Sequence, residues 1–260
     1  MTPTERFIAL VQGPEEQLAL DEAALLLAAH AEPELDVAGE LRRLDDLAGS
    51  LTDASATAVA DVLFGRLGLR GNTEDYGDPR NSYLNQVLDR RLGIPISLAV
   101  LMIEVGRRAG VTLEGIGMPG HFLVRGDGEV RDPFEGGRAL DHDACAALFR
   151  GIHGPKARFT PAMLAPVGPR TILARMLANL RQSYIGRRDP GALEWVVHLR
   201  VAIPGVPAAE LVDLARLLAE LGRFAEAAKA LDDLTVAGVL NPQDSAKLHG
   251  QAIALKARLN

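Results

Sequence analysis

His121 and Asp132 are the residues whose types and spacing best suit catalytic chemistry. His121 begins an extended, alternating segment, HFLVR, and Asp132 ends the segment EVRD that follows it. The letters GDG between the two segments predict a tight hairpin turn, which would set residues equidistant from the turn opposite one another. A hydrogen bond between the pair would fix the imidazole tautomer, as the orienting carboxylate of a catalytic triad does. The alternatives are structural: a histidine bonded to backbone at a strand edge, and an Asp-Pro turn.

A nucleophile for this histidine is harder to find in the sequence. Ser97 supplies the one hydroxyl at the start of a predicted apolar helix, where helix N–H groups could stabilise an anion. A serine hydroxyl is weakly acidic and would depend wholly on His121 as its base, so a local cap of the first helical turn is the simpler interpretation. Cys145 is the single cysteine, and free cysteines are usually small buried residues. Neighbouring aspartates would also raise the pKa of its thiol.

Polar residues just before the apolar helix form a second group of candidates. Asn81 and Asn85 share one face of a predicted helix, because side chains at i and i+4 are neighbours. Arg90 and Arg91 follow at its end. Two roles are open for this group. Its members line the same cleft as the histidine, or their side chains tether the polar loop over residues 69–79.

The helix that carries Ser97 is the most strongly patterned element of the sequence. Over residues 95–109, apolar residues recur at helical spacing on one face and also occupy the opposite face, so we expect this helix to be buried nearly all round. Pro95 is tolerated at a first helical position, and Gly110 suits the left-handed residue that ends a helix. The helix is too short to span a bilayer, which requires roughly 20 residues.

Other helices and a few strands are predicted around this core helix. Amphipathic patterns predict helices before it, and β-branched, alternating segments predict strands after it. A short helix follows the strands, with Asp141 or Asp143 near its N-cap. Gly93 is expected to end the helix that directly precedes the core helix. The predicted helices cover residues 4–12, 15–30, 35–51, 56–67 and 81–92, and the predicted strands cover 111–118, 121–125 and 129–132.

The C-terminal third is predicted to contain helices only. A proline-rich stretch before it places the domain boundary between residues 168 and 169. Ala192 and Ala227 hold equivalent small positions 35 residues apart, close to the tetratricopeptide period of about 34. Two degenerate repeats are fewer than the roughly three needed to stand alone, so we expect this module to pack onto the first domain. Its predicted helices cover 171–188, 189–203, 209–222 and 223–238.

The chain resembles the SirB-one family, a branch of the transglutaminase-like superfamily that usually carries tetratricopeptide-like helices behind its core. The resemblance extends over roughly residues 20–240. The matching segments are LFGRLGLRGN (63–72), Tyr76, DPRNSYLNQVLDRRLGIPISL (78–98), PGHFLVR (119–125) and DPF (132–134).

This resemblance implies a site made of three elements. In active members of the superfamily a cysteine opens the core helix, a histidine begins a following strand, and an Asp or Asn lies on the next strand. His121 and Asp132 match the last two positions. The cysteine position falls within Pro95–Ser97, where no cysteine is present. The SirB-one branch resembles the superfamily with its nucleophile missing, and this chain shares that departure.

Composition and charge narrow the function classes further. The chain has 260 residues, of which 48% are hydrophobic and 24% charged, as in a soluble globular protein. A net charge of −6 predicts no general attraction to nucleic acid or to an anionic membrane. One cysteine forms no internal disulfide, which favours a cytoplasmic location. We predict no metal site, because His142 and His153 lack ligand spacing, and no cofactor, because no phosphate-binding loop is present.

The sequence thus predicts an α+β, mostly helical protein. Residues 1–168 are expected to form a transglutaminase-like domain with a small antiparallel sheet and a helical N-terminal part. Residues 169–260 are expected to form a tetratricopeptide-like helical module.

The expected function is that of a non-catalytic transglutaminase-like protein, a pseudoenzyme, which binds or regulates a protein or peptide partner. The alternative is an active cysteine-protease-like or transglutaminase-like hydrolase or acyltransferase, with Ser97 or Cys145 as nucleophile and His121 and Asp132 as base and orienter. The site is expected to comprise His121, Asp132 and a vestigial Ser97, with Asn81, Asn85 and Arg91 as binding residues.

Overall fold

A computed structural model describes residues 1–236 and 242–259. The chain divides into two compact units, Met1–Ser183 and Tyr184–Asn260. The first unit contains a small antiparallel sheet among helices, and helices form the described part of the second, which confirms the α+β, mostly helical class. The sequence-based domain boundary at 168 stays a prediction. In the described residues no helix combines the length and the apolar character needed to cross a membrane.

The N-terminal helices overlap the stretches predicted to be helical, with two changes in their bounds. Glu15–Gln17 forms a separate 3-10 turn after Pro14, so the helix predicted from residue 15 begins at Leu20. Another 3-10 turn, Pro79–Ser82, precedes the helix predicted from residue 81. The helices are α1 (Pro3–Gln12), α2 (Leu20–Ala31), α3 (Val37–Gly49), α4 (Ala56–Ala60), which continues as a π-helical segment (Asp61–Arg66), and α5 (Leu84–Arg90).

The prediction that Gly93 ends α5 is wrong. Arg91 takes the left-handed conformation directly after the helix, with φ 61°, and its carbonyl accepts a hydrogen bond from Arg70 N–H at 3.0 Å. Gly93 lies instead in a short parallel pair, in which β1 (Arg70–Gly71) runs beside β2 (Leu92–Gly93). A Cβ on Gly93 would lie 2.9 Å from Ser97 Oγ. Glycine is therefore needed there so that the strand can pass close to the start of the next helix.

The next helix, α6 (Pro95–Arg108), forms the centre of the first unit. Its residues from Leu98 to Met102 have no exposed surface, and it packs against α2, α3, α4 and α5 as well as the sheet. The prediction of a core helix buried nearly all round is confirmed. Near its end, the buried Glu104 pairs with Arg107 and Arg108, which also bond the buried Asp21 of α2.

Four antiparallel strands follow α6 in the order of the chain. The hairpin turn between the second and third has Asp127 at φ 53° and Gly128 at φ 79°, the two positive angles of a type I′ turn, as the GDG letters predict. The last strand was not predicted, because its three residues carry no alternating apolar pattern. The strands are β3 (Glu114–Ile116), β4 (Leu123–Gly126), β5 (Glu129–Asp132) and β6 (Arg138–Leu140).

Helices complete both units. Asp141 caps α7, accepting a hydrogen bond from Ala144 N–H at 2.8 Å, as one of the two predicted N-caps. Residues 237 and 238, the end of the last predicted helix, lie outside the described residues. The tetratricopeptide-like character of the second unit stays a prediction. The helices are α7 (His142–His153), α8 (Pro169–Arg187), α9 (Pro190–Ala202), α10 (Ala208–Glu220), α11 (Phe224–Val236) and α12 (Pro242–Lys256).

Candidate functional site

The structure brings His121 and Asp132 into direct contact. Nε2 of His121 lies 2.9 Å from Oδ1 of Asp132, and the same oxygen accepts the Phe134 N–H at 3.0 Å. Asp132 has no exposed surface, whereas His121 retains 9%. Oδ2 of Asp132 is buried and has no hydrogen-bond partner in the described chain. The imidazole is therefore held from its inner side by a fully buried carboxylate.

His121 reaches this position from a turn and not from a strand. β4 begins two residues later, at Leu123, so the expectation that His121 starts a strand is wrong. Its N–H donates instead to the Met118 carbonyl at 3.0 Å, closing a turn in which Gly120 has φ 76°. Since Val124 pairs with Arg131 in the sheet, the histidine lies beyond the paired residues and meets Asp132 on a diagonal.

Phe134 packs against the histidine on one side. The ring centroids of His121 and Phe134 are 6.0 Å apart in an edge arrangement, and those of Tyr76 and Phe134 are 6.1 Å apart. The Phe134 ring packs directly against Gly71. A Cβ atom added to Gly71 would lie 2.5 Å from Cε2 of Phe134, which is too close for a real contact. A glycine in β1 therefore makes room for the aromatic ring that supports the imidazole.

A cavity of about 250 Å³ lies on the accessible side of His121. Because Nε2 bonds Asp132, Nδ1 is the ring nitrogen left without a hydrogen bond among the described residues. The start of α6 contributes Pro95 and Ile96, two of the three positions, Pro95–Ser97, within which the resemblance places the missing cysteine. The cavity is lined by His121 together with Tyr76, Pro95, Ile96, Gly120, Phe122, Arg175 and Asn179.

Arg175 brings a positive charge to this cavity from α8. Its Nη2 donates to the His121 carbonyl at 2.9 Å, and both terminal nitrogens lie 3.3 Å from the Met118 carbonyl oxygen. The guanidinium carbon lies 5.2 Å from the centroid of the Phe122 ring. Burial lowers the pKa of this guanidinium, and the nearby Tyr76 acts in the opposite direction. Burial raises the pKa of the Tyr76 hydroxyl, although half of the residue is exposed, and Arg175 opposes that shift.

Ser97 is fully buried, and its hydroxyl is occupied by backbone groups. Oγ donates to the Asn81 carbonyl at 2.6 Å and accepts the Ile94 N–H at 3.1 Å. Ser97 is not among the residues that line the cavity. The hydroxyl therefore joins the start of α6 to the preceding 3-10 turn.

Cys145 lies in α7, away from the lining of the His121 cavity. It has no exposed surface and packs in an apolar cluster with Ile116, Leu123 and Phe149. Burial raises the pKa of its thiol, the charges of Asp141 and Asp132 raise it further, and Arg125 opposes them. Within the described chain no hydrogen bond links this thiol to His121.

Asn81 and Asn85 are buried and do not line the cavity. Asn81 Nδ2 donates to the Asp75 carbonyl at 2.7 Å, and its Oδ1 accepts from Asn72 Nδ2 at 3.0 Å, so it tethers the loop before α5. Asn85 Nδ2 donates to Glu32 Oε2 at 2.8 Å.

Arg91 does not line the cavity either. It is exposed at the end of α5 and takes the left-handed conformation described above. Sequence reasoning assigned this residue to the cleft because it precedes α6. The chain turns through β2 between the two helices, so nearness in sequence does not bring the side chain to the cavity.

Sequence reasoning missed Arg175 and Asn179 as site residues. They are four residues apart and share a face of α8, but the helix lay in the segment assigned to the repeat module. Tyr76 was noticed only as part of the family resemblance. For the described residues, no group of three or more His, Cys, Asp or Glu side chains is placed to hold a metal ion.

Comparisons with known proteins reveal relatives over most of the first unit. The family model of the transglutaminase-like superfamily matches residues 19–178. A UPF0162 protein of Xylella fastidiosa strain 9a5c is 45% identical over 192 residues, which cover 68% of this chain and 68% of that protein. The UPF0162 protein of strain Temecula1 is also 45% identical, over 65% of this chain and 66% of its own length, just under two-thirds. A UPF0162 protein of Pseudomonas aeruginosa is 38% identical over 68% of each chain.

A more distant similarity extends to mammals. F-box only protein 21 of Mus musculus is 35% identical over 144 residues, which cover 51% of this chain but 22% of that protein. No solved structure matches the chain.

Proposed function

Because this chain belongs to the transglutaminase-like superfamily and to the family of UPF0162 proteins, we propose that it is a non-catalytic member that binds a protein or peptide partner at the His121 cavity. The observation that carries the proposal is an intact His121–Asp132 pair facing a cavity whose described lining contains no serine hydroxyl or cysteine thiol. The geometry for orienting an imidazole is present, and among the described lining residues no serine or cysteine lies beside the imidazole to be activated.

The residues at the start of α6 favour binding over turnover. Covalent catalysis needs a nucleophile within hydrogen-bond reach of its base, roughly 2.6–3.2 Å. Pro95 and Ile96 occupy the cavity wall and carry no nucleophilic atom. The Ser97 hydroxyl donates to a backbone carbonyl and is sealed from solvent.

The burial and the pKa of Cys145 also disfavour the alternative that the chain is a hydrolase or acyltransferase. An activated thiol has a depressed pKa and access to substrate. The thiol of Cys145 has a raised pKa and no exposed surface.

If the chain is of the SirB-one type, the helices of the second unit are tetratricopeptide-like and offer a further surface for a partner. The proposed location is the cytoplasm, which the single cysteine favours.

Selection from a random peptide library on the full-length protein tests the binding role. Peptides that bind would be measured by calorimetry against wild type, His121→Ala and the matched control His142→Ala, whose side chain is exposed on α7. We expect His121→Ala to weaken binding by about tenfold or more, because a central interface contact is worth more than 1 kcal/mol, and His142→Ala to leave it unchanged. Failure to select any His121-dependent peptide would refute the proposal.

Labelling with electrophiles tests the absence of catalysis. We expect a fluorophosphonate to leave Ser97 unmodified and iodoacetamide to leave Cys145 unmodified in the native protein. Rapid labelling of either residue that disappears in His121→Ala would make the chain an enzyme and end the non-catalytic assignment.

A further inference from the structure

Arg175 has a positive charge without an anionic partner among the described residues. Building on the binding role proposed above, we propose that the His121 cavity recognises a carboxylate group, and that Arg175 supplies the charge that selects it.

The contacts of Arg175 leave it able to bind a ligand. A guanidinium has five N–H donors. Three contacts go to the neutral carbonyl oxygens of Met118 and His121, and no carboxylate of the described chain forms an ion pair with it. These carbonyl contacts and the Phe122 ring hold the side chain in place beside the cavity. A fixed, half-buried cation attracts an anion more strongly than a solvated surface arginine does, because water screens it less.

Among the residues described as lining the cavity, Arg175 and His121 are those whose side chains can carry a positive charge, and the others suit the body of a small ligand. The Asn179 amide and the Tyr76 hydroxyl can donate hydrogen bonds, and Nδ1 of His121 has no described partner. Pro95 and Ile96 add apolar surface. Arginine pairs with carboxylates through charge-assisted hydrogen bonds, which are about twice as strong as neutral ones.

The size and charge of the cavity favour an end group with one negative charge. A volume of about 250 Å³ lies below the range of roughly 300–1,000 Å³ typical of sites for drug-sized ligands. One cation neutralises one carboxylate. A phosphate dianion would keep an excess negative charge beside the buried Asp132. The carboxylate comes from the C-terminal residue of a peptide or from an acidic side chain, and the two sources are separable by experiment.

Nuclear magnetic resonance on the full-length protein tests the inference through the ring protons of His121. The probes are N-acetyl-alanine, its neutral amide, N-acetyl-glutamic acid α-amide and inorganic phosphate. We expect saturable shifts with the two carboxylates and half-saturation about tenfold weaker or worse with the neutral amide. The tighter of the two carboxylates identifies a chain terminus or an acidic side chain as the source. Equal responses to acid and amide, or tighter binding of phosphate, would overturn the inference.

Arginine variants test the role of the charge. Arg175→Gln should reduce the preference for acid over amide to about twofold or less, and Arg175→Lys should retain part of it, because lysine keeps the charge and loses the planar fork. The control variant Arg158→Gln removes an exposed positive charge outside the cavity lining and should leave the preference for acid over amide unchanged. A preference that survives Arg175→Gln would contradict the assignment. If Arg175→Gln fails to fold, two measurements still test the role of the charge. They are the comparison of acid and amide binding to wild type and the same comparison with Arg175→Lys.

Failure of this inference differs from failure of the proposed function. Library peptides without acidic residues could bind in a His121-dependent way and equally well with free and amidated C-termini. That result would support the binding role but contradict carboxylate recognition. Absence of any His121-dependent binding would remove both.

Discussion

At the scale of single residues, the His121–Asp132 pair joins an accessible cavity to a buried carboxylate. Removing the imidazole takes away one hydrogen bond of Asp132 and leaves the bond from the Phe134 N–H. The pair therefore contributes to stability as well as to the site, and the two contributions can be separated by combining substitutions.

We expect His121→Ala to lower the free energy of unfolding by about 1–3 kcal/mol while the protein still folds, because a buried carboxylate loses one of its two hydrogen bonds. The double variant His121→Ala/Asp132→Asn should recover part of that loss, since a neutral amide is less costly to bury without a partner than a carboxylate. Urea unfolding of both variants measures this. A loss that prevents folding would instead make His121 a residue of the core.

The thiol of Cys145 should be unreactive in the folded protein. Its pKa is raised from the ordinary 9.0, first by burial, so the thiolate that attacks electrophiles is scarce at pH 7–8. We expect alkylation by iodoacetamide to become rapid only when urea unfolds the chain. The denatured protein at the same pH provides the control. Fast native alkylation at pH 7 would show that the thiol is accessible after all.

At the scale of elements, the short parallel strands β1 and β2 support the site from outside the main sheet. Gly71 in β1 makes room for Phe134, which packs on both His121 and Tyr76. The 3-10 turn before α5 is fixed in a similar way by the buried Asp78, which bonds Arg80 and pairs with Arg90. The strand β1 thus helps to position Phe134 beside the imidazole.

Gly71→Ala should disturb the site as well as the fold. The new methyl group would meet the Phe134 ring at 2.5 Å, and overpacking of this kind costs about 1–3 kcal/mol. We expect a lower urea midpoint together with shifted His121 ring resonances. Gly151→Ala in α7, where a methyl group meets nothing within 4 Å, serves as the control and should leave those resonances in place. Unchanged His121 signals in Gly71→Ala would mean that Phe134 does not support the ring.

The Asp78 carboxylate should make stability depend on pH in the acid range. Burial raises its pKa, but hydrogen bonds from Arg80 and the charges of Arg90 and Arg80 outweigh burial, so the pKa lies below the ordinary 3.8. A lowered pKa gives stability that is present above 3.8 and is lost as the pH falls through and below that value. Asp78→Asn should therefore be less stable than wild type at pH 7, with a smaller difference at pH 2.5. Urea unfolding at both pH values checks this, and a constant difference would contradict it.

At the scale of the whole molecule, each compact unit has an apolar core of its own. In the second unit, Leu214, Leu218 and Leu231 pack with Val197 and Ala227, and every buried member of this cluster lies beyond residue 184. In the first unit, α6 and the sheet supply the buried residues around the candidate site.

We expect Leu214→Ala to destabilise the second unit by about 2–5 kcal/mol, because truncating a buried leucine leaves a cavity. Hydrogen exchange should quicken in α10 and α11, while the amides of α6 and β4 keep their wild-type rates. The matched variant Leu101→Ala in α6 should show the reverse pattern. Faster exchange in both units after Leu214→Ala would mean that they unfold as one.

The sequence by itself determined the features that depend on neighbouring residues. Helical periodicity and capping residues located α6 and its burial, and the GDG letters located the hairpin that brings His121 and Asp132 together over eleven positions. Turn chemistry and side-chain spacing act over one or two turns of chain, so they can be read from the sequence without knowing the fold.

Only the tertiary structure decided which other residues surround the imidazole. Arg175 donates a hydrogen bond to the His121 carbonyl although the two residues are 54 positions apart. No local sequence pattern predicts this contact. The roles of Ser97 and Asn81 also depended on packing, since both side chains bond backbone groups inside the fold and not the cavity. Burial and hydrogen-bond partners come from elements distant in sequence. Long-range packing therefore decides which of several residues with suitable side chains lie at the cavity.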